Sequence, residues 1–157
     1  MNPNARSPLR RMALLAGLAM ITGATSLCAY AVLGGGEATV LGDQQQMSAT
    51  QRVLRPGAYT VHEMQTPSGT VVREYVSPEG VVFGVAWSGP TMPDLRQLLG
   101  SYFEPYASAV AQRKARGPVV VQLPGAVVQS AGHMRAYTGS AYIPGALPQG
   151  VTAETVK

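Results

Sequence analysis

Hydrophobic and polar positions alternate most regularly between residues 58 and 87. The runs 58–65, 70–76 and 81–87 each read as a strand, rich in Val, Tyr and Thr. Thr66-Pro67-Ser68-Gly69 separates the first pair of runs, and Ser77-Pro78-Glu79-Gly80 separates the second. In each turn Pro presets the backbone angle at the second position, and Gly tolerates the left-handed conformation at the fourth. This chemistry predicts two type I turns, each closing a hairpin with a bulge at Gly, and hence an antiparallel meander. The turns also set a register. Val61 should face Tyr75 and Tyr75 should face Phe83. His62 should face Glu74, and Glu63 should face Arg73. The side carrying Val61, Tyr75, Phe83, Val85 and Trp87 holds most of the bulk and is the expected core side.

The period then changes from two to about 3.6. Leu95, Leu98, Leu99, Tyr102, Phe103, Tyr106 and Val110 fall on one stripe of a helix. Thr91 followed by Asp94, with Pro93 between them, predicts a cap at Thr91. Pro105 predicts a kink or break near Phe103 and Glu104 and a second helical piece to about residue 115. Gly117-Pro118 ends it. Beyond lie strands at 119–123 and 126–129, and a third run from about Met134 to Ile143. The expected fold is α+β: a three-stranded antiparallel meander, a kinked helix packed on one face of the sheet, then two or three further strands.

The flanks change character. Residues 32–57 hold Gly34-Gly35-Gly36 and three consecutive Gln and lack a sustained period. They are expected to be a flexible lead-in, with room for a short helix near residues 44–52. Residues 144–157 contain Gly145, Pro148 and Gly150 and read as a loose tail. The single domain should therefore run from 58 to 143.

The first 31 residues read as an export signal. Arg6, Arg10 and Arg11 precede an uncharged apolar run from 12 to 27, and Ala29-Tyr30-Ala31 has the small-x-small form of a cleavage site. The run is shorter than the roughly 20 apolar residues of a spanning helix. Cys28 raises the alternative of a lipid-modified N-terminus, but Leu27 before it is bulkier than such sites prefer. Cleavage after Ala31 changes the charge picture. The chain carries 12 basic and 8 acidic residues. Losing three arginines leaves nine against eight, a net charge of +1. That balance argues against nucleic acid as a partner. It also removes Cys28, the one cysteine, so no disulfide or thiolate chemistry is expected.

Few residues suggest chemistry. His62-Glu63 lacks the second His that a zinc-protease helix requires, since Thr66 stands at that position. Gly84-Val85-Ala86-Trp87-Ser88 has Ala where a nucleophile elbow needs Ser. His62, Glu74 and His133 are the remaining candidates, with His62 and Glu74 as cross-strand neighbours. They read either as an acid/base pair or as an ordinary polar pair on a solvent face, and the second reading is favoured. Trp87 joins them as a weak candidate for a binding surface, although its spacing suits a core. No catalytic, metal or cofactor site is expected.

The run Gly69-Thr70-Val71-Val72-Arg73-Glu74-Tyr75-Val76, the later Val82-Phe83-Gly84-Val85-Ala86-Trp87-Ser88-Gly89-Pro90, and Pro93-Asp94-Leu95 through Tyr102-Phe103 resemble the proteobacterial domain of unknown function 2844 family. Ser130-Ala131-Gly132-His133-Met134-Arg135 is similar to that family's C-terminal segment. The resemblance spans about residues 32 to 150. It implies a small exported protein of Gram-negative bacteria and brings no activity, cofactor or catalytic residue. The resulting expectation is a periplasmic or secreted non-enzymatic module that binds a protein or an envelope component and touches the membrane only through its signal. A hydrolase using a His/Glu pair and a membrane-tethered envelope protein are the alternatives.

Overall fold

The computed structural model describes residues 33–114 and 117–157. The expected signal segment, residues 1–31, and Cys28 within it lie outside the described residues. The rest forms a seven-stranded antiparallel sheet with short helices, an α+β fold. The strands are β1 (Thr50–Leu54), β2 (Thr60–Gln65), β3 (Val71–Val76), β4 (Val82–Gly89), β5 (Val119–Leu123), β6 (Ala126–His133) and β7 (Ala136–Tyr142). Their order in the sheet is β1-β2-β3-β4-β7-β6-β5. The helices are α1 (Val40–Gln46), α2 (Leu95–Leu99) and α3 (Phe103–Ala111).

Both Pro-x-Gly turns form as their chemistry requires. Gly69 N donates to Thr66 O at 2.9 Å and Gly80 N to Ser77 O at 2.9 Å. Gly69 and Gly80 take φ of 88° and 78°, conformations that cost a residue with a side chain more. The β2–β3 register is the expected one, with Val61 opposite Tyr75, His62 opposite Glu74 and Glu63 opposite Arg73. The β3–β4 register departs from expectation beyond Val76. A bulge there places Gly84, not Phe83, opposite Tyr75. The extra residue turns Val85 and Trp87 to the side opposite Phe83.

That bulge decides which face the helices cover. Met64, Val72, Val76, Val82, Val85 and Trp87 form the main core with Leu98, Leu99 and Tyr106 of the helices. The expected core side is therefore corrected: Val61, Tyr75 and Phe83 belong to a second, smaller cluster on the reverse face. That cluster is closed by the C-terminal segment. Val156 is 3% exposed, and Lys157 N donates to the Tyr75 hydroxyl while that hydroxyl donates to Lys157 O. Residues 144–157 thus differ from the loose tail expected of their composition. They hold few apolar groups, yet those few find a preformed apolar face.

The N-terminal segment also differs from expectation. It carries α1 and β1 and runs along the sheet. Leu33 and Val40 are buried, Gly34 N donates to Val82 O, and Glu37 N donates to Gly80 O. β1 is an edge strand, almost wholly exposed, held by its ladder to β2. A strand held by its backbone ladder and by the polar contacts of Gln51 and Arg52 leaves no hydrophobic period to read.

Two further boundaries move. Asp94, not Thr91, caps α2, its carboxylate accepting from Arg96 N at 2.9 Å and Gln97 N at 3.3 Å. Thr91 instead bonds Thr70 and Ser68 across the first hairpin turn. The helix breaks at Gly100–Tyr102, a 3-10 turn, rather than at Phe103 and Glu104. Pro105 falls in the first turn of α3, where a missing N–H costs nothing. Near the C-terminal end, Met134 and Arg135 form the β6–β7 turn and do not begin a strand, and Arg135 has φ 64°.

Candidate functional site

Strand β3 aims Val72, Glu74 and Val76 at the helix side, and all three are buried. Glu74 is an acid in a row of valines. The element above it is α1, whose Asp43 is also fully buried. The two carboxyl groups meet under the N-terminal segment, and Gln97 of α2 donates to Asp43 Oδ1 at 2.6 Å. Burial pushes the Glu74 carboxyl well above the usual carboxylate range. The Asp43 charge, and the bond that a protonated Glu74 makes to Asp43, push it further. Burial and the facing Asp43 carboxyl thus both favour the protonated form of Glu74.

His62 stands beside Glu74 on β2 and is 7% exposed. Its two ring nitrogens meet partners from two other elements. Nδ1 lies 2.7 Å from Gln51 Nε2 on β1, and Nε2 lies 3.3 Å from Glu37 Oε1. With the proton on Nε2, the ring donates to Glu37 while Nδ1 accepts from Gln51. The cross-strand placement of His62 and Glu74 is as the turn chemistry requires. Their setting is not a solvent face but a lidded polar pocket in the core. The tip of β6 carries His133, exposed and paired with Ala136. Strands β3, β4 and β7 separate β2 from β6, so the two histidines do not share a site.

Trp87 is 2% exposed and packs in the main core. Its ring lies flat over Gly139 of β7, where a Cβ would sit 2.3 Å from the indole. Trp87 thus serves the core, and with Ser88 it also borders the cleft formed by β5–β7 and the C-terminal segment.

The reverse face holds an open cleft of about 560 Å³ between β5–β7 and the C-terminal segment. Its floor includes Gln129, Thr138 and Ser140, and Glu154 and Lys157 stand on its rim. These side chains offer hydroxyl and amide groups, set among apolar walls from Pro118, Val119, Val120, Ala131 and Val156. Edge strand β5 borders it and exposes Val120 at 61%. Asp43, Gln97 and the cleft residues escape sequence inspection, because their meeting depends on contacts between distant segments. Glu74 alone carries a local signal, as an acid at the middle of a Val-x-Glu-x-Val alternation.

Among the described residues no group of three or more His, Cys, Asp or Glu is placed to hold a metal ion. None of the described helices is long and apolar enough to cross a membrane.

The features define an α+β domain with a buried carboxyl pair on one face and an open cleft of mixed apolar and polar lining on the other. The chain belongs to the family described as protein of unknown function (DUF2844), whose model matches residues 29–156. Comparison with curated proteins and with solved structures returned no match.

Proposed function

We propose that the protein is an exported, non-enzymatic binding module that takes an envelope component or a protein segment in the reverse-face cleft. The observation that carries this reading is the cleft itself, open and floored by Gln129, Thr138 and Ser140. Such a surface offers several weak hydrogen-bonding groups and suits recognition by shape and polarity. The hydrolase reading draws less support. Both nitrogens of His62 are engaged by Gln51 and Glu37, and Glu74 faces Asp43 in the interior. Export rests on the basic and apolar pattern of the first 31 residues.

A photo-crosslinking residue placed at Gln129 or Thr138 in the full-length protein, expressed in its own cells, tests the binding role. Discrete adducts from these positions, absent with the same residue at Leu41 on the helix side, support it. Equal labelling from all three positions, or none from the cleft, overturns it. Mass spectrometry of the processed chain tests export separately: an N-terminus at Val32 supports it, and an intact leader contradicts cleavage.

A further inference from the structure

We propose that the Asp43–Glu74 contact is a proton-operated latch, holding the segment from Glu37 to Ala49 closed over the sheet while the pair carries a proton and loosening it when the proton leaves. The geometry assigns the two carboxyl groups to different elements, α1 and β3, and both residues are fully buried. The strap is anchored by backbone at each end. At one end, Gly34 N and Glu37 N donate to Val82 O and Gly80 O. At the other, β1 pairs with β2 from Thr50 onward. Between these anchors α1 reaches the sheet and α2 through side chains: Val40 in the core, Asp43 against Glu74, and Asp43 accepting from Gln97.

Several described residues face the latch. Asp43 approaches Glu74 from α1. His62 stands beside it on β2, and Glu37 lies behind His62. Gln97 comes from α2 and is uncharged, and β4 presents Val85. Loss of the proton to solvent leaves two carboxylates in a buried site, where the Gln97 amide donates to Asp43. Two like charges there repel strongly, and each is desolvated. Lifting α1 hydrates both and separates them. The open form exposes His62, Glu74 and the apolar row around Val72, and it is favoured at higher pH. The upward shift of the Glu74 carboxyl in the closed form has the same sign: the closed state binds the proton more tightly, so opening grows as pH rises.

Hydrogen exchange followed by mass spectrometry on the full chain tests this across about pH 5 to 8, after correction for intrinsic exchange rates. Amides in residues 38–49 of the wild type should show an opening population that rises with pH, by up to about tenfold per unit for one proton. Peptides from β6 and β7 should show no such rise. Glu74→Gln keeps the shape, loses the titration and should flatten the profile of the strap. An equal slope in wild type and Glu74→Gln overturns the latch, as does a flat wild-type profile. If Glu74→Gln fails to fold, infrared spectroscopy of the wild type decides. A protonated carboxyl band that persists at neutral pH and is lost with the rise in exchange supports the latch, and no such band in the closed form overturns it.

Discussion

The two faces of the sheet are covered by different means. The helix face receives long apolar side chains from α2 and α3, which close over Val72, Val82, Val85 and Trp87. The reverse face receives the C-terminal segment and Tyr59, which close over Tyr75 and Phe83 and leave the cleft open beside them. Each face also relies on one glycine. Gly139 lets the Trp87 ring lie on the sheet, and Gly84 lets Val156 do the same on the other side. The difference teaches where each kind of property resides. Stability concentrates on the helix face, where area is buried, and accessible polar chemistry concentrates on the reverse face. The carboxyl pair is the exception, since it places polar chemistry inside the stable face.

The comparison can be broken most directly at its two largest anchors. Trp87→Ala should cost about 3–5 kcal/mol in urea unfolding, whereas Val156→Ala should cost about 2 kcal/mol, because far less area is buried. Equal costs would mean that the reverse face is as much a core as the helix face. The glycines give the next contrast. Gly139→Ala puts a methyl 2.5 Å from the Gln129 carbonyl as well as against Trp87, so backbone must shift. A loss of about 3 kcal/mol is expected there. Gly84→Ala presses on the Val156 side chain, with its nearest atom at 2.8 Å, and meets the Ala141 carbonyl at an ordinary contact distance of 3.5 Å. About 1 kcal/mol should suffice, because that segment can move.

Glu74 sharpens the comparison through pH. Its folded carboxyl titrates above its ordinary value of 4.5 because it is buried beside Asp43. Its contribution is therefore fully present below about 4.5 and is lost as pH rises toward the raised value. Thermal unfolding should show wild-type stability falling through the mildly acidic range, by at most about 1.4 kcal/mol per pH unit. Glu74→Gln should remove that slope and be the more stable protein at alkaline pH. Tyr75→Phe, on the reverse face, should lose about 1 kcal/mol with no such slope, since it deletes the bonds to Lys157. The smallest effect belongs to the half-buried Glu63 between Arg52 and Arg73, with contacts of 2.7 and 2.8 Å. Glu63→Gln should cost under about 1 kcal/mol, and less in high salt.

The parts legible in the sequence were the locally encoded ones. Thr66-Pro67-Ser68-Gly69 and Ser77-Pro78-Glu79-Gly80 each contain the whole instruction for their turn. The β2–β3 register follows, and with it the cross-strand pairing of His62 with Glu74. The stripe from Leu95 to Val110 likewise carries its own period, and so does the start of β5. The candidate site was legible by half. His62 and Glu74 stood out as an unusual pair, but nothing near them in the chain announced Asp43, Gln97, Glu37 or Gln51. The cleft was not legible at all, because Gln129, Thr138 and Ser140 are ordinary polar residues until the C-terminal segment walls them in.

The sequence alone determined the meander, its turns, the α+β class and the family. Tertiary structure decided which face became the core. One bulge at Phe83, opposite the Tyr75–Val76 step, moves Val85 and Trp87 across the sheet, and a period-two pattern cannot show where an extra residue will be accommodated. Tertiary structure also decided that Glu74 is buried as an acid. A side chain's protonation depends on the charges and water around it, and here Asp43 arrives from 31 positions away in the chain.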